Sequence, residues 1–377
     1  MKLSLKGMVA TLIAFCVVGA VAQSFDDPKE YDFQNGLLGV KPKGPAGKPW
    51  LQYVAGNPID TSKYKKAGPY RLCFSNAGVN NPWRVVGYKN MQAEVDLHKK
   101  DIASFVHADA EGKDDKQISD INAFISGGQC DLLIVSPNTT AALTPAVEKA
   151  CAKLPVIVFD RGVLTGCPVT FINPIGGYGF GITSAAFIAD NLPKGAKVLA
   201  LRILPGVDVL ETRWAAAKKI FAERGITVVG AEFTGGDRAK TKAIVEDYLN
   251  RVGTIDGIWM DAGATSVAAI EAFEDSGKKL PVINGEDQQD FLQKWKALKL
   301  KAIAPTYPTY QWRTPIIAAV SILKGEPVIG PNWKLPQPAI TQANLDSYVN
   351  PAMPPLHYAM CGCEAMPDYP KRWSGGK

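Results

Sequence analysis

One feature restricts the fold of this chain more than any other. From Tyr70 onward, short β-branched and aromatic runs recur at 70–74, 102–107, 131–135, 155–159 and 169–172. A second series follows at 197–202, 226–231, 255–260, 281–284 and 301–304. Helix-period stretches lie between most of them, as at Asp208 to Arg224 and Arg238 to Val252. Strand and helix alternating in this way give parallel strands with helices packed on both faces of the sheet. The expectation is an α/β chain of doubly wound parallel sheets. At 377 residues the chain has the mass for two lobes, and two sheets of about five strands suit it better than one very wide sheet. The break falls at FINPIGGYGFG (171–181), where Gly and Pro cluster between the two series. Thr144-Pro145 reads as the N-cap and first turn of the helix ending near Cys151.

The amino-terminal residues speak to compartment. Lys2 and Lys6 form a basic leader, Met8 to Ala20 an apolar core, and Ala20-Val21-Ala22 a small-residue cleavage site. The core is short for a membrane span, so residues 1–22 are expected to be a signal peptide cleaved before Gln23, with the protein exported to the periplasm. Without those two lysines the formal charge falls from +6 to +4, spread along the chain with no Lys/Arg block. Nucleic-acid binding has no footprint in that distribution. Residues 23–68 are rich in Gly, Pro and Lys without periodicity, and are expected to be an irregular arm. Six cysteines remain: Cys73, Cys130, Cys151, Cys167, Cys361 and Cys363. Six allow fifteen complete pairings and the sequence does not choose among them. The expectation is Cys130 with Cys151, at one edge of a βα unit, and Cys73 as a buried free thiol.

In open α/β sheets, ligands bind beyond the carboxyl ends of the strands, so the residues placed there are the candidate site. Asn80, Asn81, Trp83 and Arg84 follow the first strand, and Asp160 and Arg161 follow Pro155 to Phe159. Asp261 follows Ile258-Trp259-Met260, and Glu286, Asp287 and Gln288 come just after Asn284. The strand near Ala302 runs into TYPTYQW, with Tyr307, Tyr310 and Gln311, while Arg213 and Trp214 open a helix. Carboxylates, guanidinium groups and amides are bidentate partners for vicinal hydroxyls. Trp and Tyr offer flat apolar faces for a sugar ring. Singly, each residue has a plain reading as a cap, a surface charge or a core aromatic. Their concentration at strand ends in both halves points to a neutral, polyhydroxylated small molecule.

NNPW with Arg84 after the first strand, and PVIVFDR about 75 residues on, resemble the ribose- and galactose-type periplasmic sugar-binding proteins, the solute receptors of ABC importers. The resemblance covers about residues 68–325, including the spacing from Gly206 to Arg213. It implies the type I Venus-flytrap fold: two doubly wound lobes joined by three crossing segments, with ligand trapped on closure. The lobes are then 69–173 plus 305–330 and 174–304 plus 331–350, with an irregular tail at 351–377. Position by position, it implies ligand contacts at Asn81, Trp83, Asp160, Arg161, Arg213 and Asp287, with Asp261 a looser match. Arg84 stands where a second aromatic is common, leaving a stacking face to Trp214 or Tyr307 and adding a cation that favours an acidic sugar. Gly236 replaces another aromatic, and Pro305 stands near an expected polar contact. The arm and the Cys361-Gly362-Cys363 tail lie outside the family pattern. The implied partners are a carbohydrate ligand and an ABC permease in the inner membrane, with the receptor a monomer.

Enzymatic readings find no support in the motifs. His98, His107 and His357 show no metal spacing, and there is no GxSxG elbow, P-loop or zinc signature. No cofactor or metal is expected. Gly177-Tyr-Gly179-Phe-Gly181 approaches a dinucleotide fingerprint, but Ile182 stands where a glycine is required. Asn138-Thr139-Thr140 is a sequon by form only. A lactose-repressor-type regulator would need a helix-turn-helix headpiece where the leader stands. The remaining alternative is a periplasmic sensor subunit that reports ligand occupancy to a membrane kinase or chemoreceptor, with the same fold and pocket.

Overall fold

The computed structural model describes residues 25–374, and the expected signal peptide lies outside the described residues. The chain begins with helix α1 (Pro28–Leu37) and strand β1 (Ala55–Ile59). The amino lobe continues through β2 (Tyr70–Asn76), α2 (Pro82–Leu97), β3 (Ile102–Asp109), α3 (Asp114–Gly127) and β4 (Leu132–Ser136). It then runs through α4 (Thr140–Cys151), β5 (Val156–Phe159) and β6 (Thr170–Pro174). The carboxyl lobe holds α5 (Gly177–Asp190), β7 (Lys197–Arg202), α6 (Asp208–Arg224), β8 (Thr227–Phe233) and α7 (Arg238–Val252). Next come β9 (Gly257–Met260), α8 (Ser266–Asp275), β10 (Val282–Asn284), α9 (Gln289–Leu298) and β11 (Ala302–Pro305). The chain returns as α10 (Thr314–Lys324), β12 (Val328–Leu335) and β13 (Ala339–Ile340).

Two sheets result. The amino-lobe sheet has the order β1-β12-β6-β5-β4-β2-β3, and the carboxyl-lobe sheet the order β13-β11-β10-β9-β7-β8. The edge strands β1 and β13 pair antiparallel, and every other pairing is parallel. Strands such as β4 and β5 are buried along their whole length, because helices cover both faces. The chain crosses between the sheets three times: from β6 to α5, from β11 through Tyr307 to α10, and from β12 to β13. The doubly wound, two-lobed architecture is the one expected.

Local signals explain the boundaries. Helix α2 starts where Asn81 accepts from the Arg84 backbone N–H at 3.0 Å and Pro82 takes the first helical position. Helices α6 and α7 coincide with the periodic stretches, and α6 stops at Gly225 in the left-handed region (φ 68°). Helix α4 begins at Thr140, a turn earlier than Thr144-Pro145 suggests, so Pro145 sits inside it and removes one backbone bond. Gly87 lets α2 lie directly on Trp312, where a Cβ would come within 2.3 Å of the indole nitrogen.

Several expectations need correction. The 23–68 arm is not irregular: α1 packs on α5, and β1 extends the amino-lobe sheet by pairing with β12. Residues 331–335 belong to the amino lobe, since β12 is one strand paired with β6 through Leu335. The tail also links the lobes. Its Met360 backbone N–H donates to Asp287 in the carboxyl lobe, and its Cys361 carbonyl accepts from Asn90 in the amino lobe. The cysteines pair as Cys73–Cys130, Cys151–Cys167 and Cys361–Cys363. Cys130 enters β4 beside β2, so its neighbour is Cys73, which is therefore not a free thiol. Cys151 ends α4 under the β5–β6 connection that carries Cys167.

Candidate functional site

A cleft with about 100 Å³ of accessible volume lies between the carboxyl ends of the two sheets. The amino lobe supplies Asn81, Pro82, Trp83 and Arg84 from the start of α2, and Asp160 and Arg161 from the end of β5. The carboxyl lobe supplies Arg213 from α6, Glu286 beyond β10, and an apolar wall that includes Ile203, Leu204, Val207 and Leu210. Tyr307 enters from the second crossing and Tyr358 from the tail.

The polar groups of the amino lobe are locked together. Arg84 forms a buried ion pair with Asp160 at 2.7 Å, and it donates also to Asn76 Oδ1 at 2.9 Å and Ser136 Oγ at 3.2 Å. Ser136 in turn donates to the same Asp160 oxygen at 3.1 Å. Asp160 holds a positive φ of 69°, an uncommon backbone state for a residue other than glycine and one that clusters at binding sites. Tyr307 secures that turn: its hydroxyl donates to the Asp160 carbonyl at 3.0 Å, and its own carbonyl accepts from Trp83 Nε1 at 2.7 Å. The hinge tyrosine thereby ties the end of β5 to the start of α2. Burial, followed by repulsion from Arg161, lowers the Arg84 guanidinium to about 10, while Asp160 opposes the shift. Arg161 is half-buried and donates to the Asn138 carbonyl, with no carboxylate at ion-pair distance among the described residues.

In the carboxyl lobe, Arg213 lies 3.9 Å above the Phe180 ring centroid and 5.0 Å from that of Tyr307. Its Nη1 donates to the Asp261 carbonyl and reaches Glu286 Oε1 at 3.3 Å, while its Nε is buried without a partner among the described residues. Glu286 also accepts from the Gly263 N–H at 3.1 Å and from the Tyr358 hydroxyl at 3.2 Å. Burial raises the Glu286 carboxyl, opposed chiefly by Arg213. The lobes also touch directly. Asp208, in the first turn of α6, accepts from Thr140 Oγ1 at 3.0 Å and from the Gly162 N–H at 3.1 Å. Burial raises its carboxyl against those donors and Arg161.

Of the candidates drawn from the strand ends and the family resemblance, Asn81, Trp83, Arg84, Asp160, Arg161, Arg213, Glu286 and Tyr307 come together in the cleft. Asp261 and Asp287 do not line it. Asp261 is fully buried, accepts from the Ile203 N–H at 2.8 Å, and presents only its carbonyl to Arg213. Asp287 turns away to hold the tail. Burial lifts both carboxyls to about 7. Beyond Asn284 the chain directs Glu286 rather than Asp287 into the cleft. Trp214 is also outside: its ring packs 5.3 Å from that of Trp259, beneath Arg202. Tyr358 escaped the sequence reading because the tail has no strand or helix period to place it. The added-cation argument for Arg84 does not hold either, because Asp160 neutralises it.

With the geometry in view, comparison with known proteins is decisive. Residues 72–327 match a family described as periplasmic binding protein domain. The chain belongs to that family. As a periplasmic binding protein it is 31% identical over 260 residues to the ribose import binding protein RbsB of Bacillus subtilis, covering 69% of this chain and 83% of that one. Among solved structures, an ABC transporter solute binding protein from Thermobispora bispora superposes with TM-score 0.68 at 21% identity, covering 79% and 94% of the two chains. One from Bacillus halodurans with bound myo-inositol gives TM-score 0.67 at 21% identity, covering 75% and 98%. The family match begins at Leu72 and ends at Pro327, so α1, β1 and the tail lie outside it.

Proposed function

We propose that this periplasmic binding protein captures a sugar, sugar acid or cyclitol between its lobes and presents the closed, loaded form to an ABC importer of the inner membrane. The carrying observation is the cleft itself. One wall holds the Arg84–Asp160 pair with Arg161 beside it, the other holds Arg213 with Glu286, and Trp83 and Tyr307 close the end at the crossing. Such a set donates to and accepts from ring hydroxyls in pairs, while the aromatic faces take the C–H face of a ring. Its relatives being import binding proteins, we read the chemistry of this set as binding.

Contacts made from both lobes favour the closed state by the difference in ligand affinity between closed and open forms. Counting Glu286 as ionised, the formal charge of these side chains is three arginines against two carboxylates, and the unpaired member is Arg161. A ligand with a carboxylate or a dense array of hydroxyl acceptors suits that surplus. The test is a thermal-shift screen of the exported chain against pentoses, hexoses, sugar acids and cyclitols. A ligand that binds only the folded form, at about 1,000 times its Kd, adds roughly 4 kcal/mol of stability. A strong hit that is lost in Arg161→Ala supports the reading. Silence across the panel sinks it and leaves a sensor for another class of signal.

A further inference from the structure

The tail carries a cluster that the cleft does not use. His357, Cys361 and Cys363 are all buried, with one ligand atom from each within 4.8 Å of the others. His357 Nε2 lies 3.7 Å from Cys361 Sγ and 3.9 Å from Cys363 Sγ. Glu364 Oε1 lies 3.6 Å from Cys361 Sγ, and the Cys363 backbone N–H donates to that sulfur at 3.2 Å. His357 Nδ1 is buried without a hydrogen-bond partner among the described residues.

The two sulfurs are joined in this structure, yet the backbone holds them together independently of that bond. Gly362 between them takes φ 59° and packs on Trp50, where a Cβ would meet the ring at 2.6 Å. The segment is pinned on both sides. The His357 carbonyl accepts from the Gln289 N–H at 3.0 Å, the Cys361 carbonyl from Asn90 at 3.1 Å and the Gly362 carbonyl from Arg313 at 2.6 Å. Opening the disulfide leaves three donors on one centre.

We propose that the reduced form of this segment is a metal site, in which His357 Nε2, Cys361 Sγ and Cys363 Sγ hold a thiophilic cation such as Zn²⁺, with Glu364 as the fourth donor. Two thiolates, an imidazole and a carboxylate make a tetrahedral set suited to zinc rather than to magnesium or calcium. The conversion balances. A dithiol reductant gives two electrons and two protons to the Cys361–Cys363 bond and leaves as its own disulfide; Zn²⁺ then displaces the two thiol protons. The spacing of the histidines to one another gave no sign of this, because the pattern is His357-x3-Cys361-x-Cys363-Glu364. The tail touches both lobes, so the metal would sit on the link between them.

Cobalt is the spectroscopic stand-in. Protein reduced with a dithiol, freed of reductant and titrated with Co²⁺ should show sulfur-to-cobalt charge-transfer absorption saturating at one equivalent and bleached by Zn²⁺. The band should vanish in Cys361→Ser/Cys363→Ser, which keeps the other four cysteines. Affinity should fall in His357→Gln by at least the roughly 10- to 100-fold that loss of an outer-shell partner costs. Should the serine pair fail to fold, His357→Gln and Glu364→Gln carry the test, each expected to alter the cobalt spectrum. A disulfide that the dithiol leaves closed overturns the proposal. So does a reduced wild type with no band, or a band unchanged by these variants.

Discussion

Asp208 and Thr140 stand on opposite lobes, and the carboxylate of one accepts from the hydroxyl of the other at 3.0 Å. With the Gly162 N–H on the same oxygen at 3.1 Å, the first turn of α6 is fastened to the rim of the amino lobe. A hydrogen bond to a charged group contributes about 1.5–3 kcal/mol. Asp208→Ala should therefore weaken ligand binding at least tenfold, mostly through faster dissociation. It should also enlarge the radius of gyration of the ligand-free protein in small-angle scattering. Unchanged scattering together with unchanged affinity would show that closure does not depend on this latch.

Arg84 and Arg161 are adjacent in the cleft and should respond differently to mutation. Arg84→Ala leaves Asp160 as a buried, unpaired carboxylate and should cost about 3–5 kcal/mol of folding stability. Arg161 is half-buried with only a backbone partner. Its alanine variant should melt close to wild type while losing at least tenfold in affinity for the identified ligand. Calorimetry of both variants, by melting and by titration, separates the two roles, and the proposed division fails if the losses are reversed.

Asp287 predicts a pH dependence whose sign follows from its surroundings. Its carboxyl is raised from 3.8 to about 7 by burial, and no cation is among the leading influences. The unfolded chain ionises near 3.8 and the folded one near 7, so the stability contributed by the neutral carboxyl is full below about pH 4 and is lost as pH rises to about 7. Asp287→Asn keeps a carbonyl for the Met360 N–H and removes the buried charge. Measured by urea unfolding, the variant should gain on wild type between pH 4 and 7, by up to about 1.4 kcal/mol per pH unit, and hold that lead above pH 7. His357, lowered from 6.5 to about 4, acts in the opposite direction, but it is present in both proteins and cancels. A difference that is flat from pH 4 to 8 would place the carboxyl at its ordinary value.

The two larger disulfide loops should rank by length. Cys73–Cys130 spans 57 residues and Cys151–Cys167 spans 16. In the loop-entropy picture their removal costs roughly 4 and 3 kcal/mol respectively. Paired Cys→Ala variants unfolded in denaturant read this directly, and equal midpoints would mean that loop length is not what sets the contribution.

What the sequence made legible follows from the range of the signals. The period-2 and period-3.6 patterns are local, so α6 and α7 could be read to the residue, and the strand-end rule brought Trp83, Asp160 and Arg213 to one cleft. The failures are non-local. Whether Glu286 or Asp287 faces the cleft depends on a turn beyond β10 and on a tail more than 70 residues later, because Met360 claims Asp287 and Tyr358 claims Glu286. Strand β1 carries Gly56 and Pro58, residues that argue against a strand in isolation, and only β12 gives its backbone a partner. Cys73 sits inside a hydrophobic run, and nothing in its neighbours announces Cys130.

The pairing of β1 with β12 bears on the order in which the molecule can assemble. Ala55 meets Lys334 and Ile59 meets Val328, so one of the first strands to be synthesised must wait for one of the last. Until nearly the whole chain has emerged, β6 has no β12 beside it and the amino-lobe sheet carries an open edge. Contacts of such high sequence separation form slowly and leave partly folded chains prone to association. The amino-terminal arm, made early, becomes the closing piece of the fold, and chaperone demand should be set by that delay.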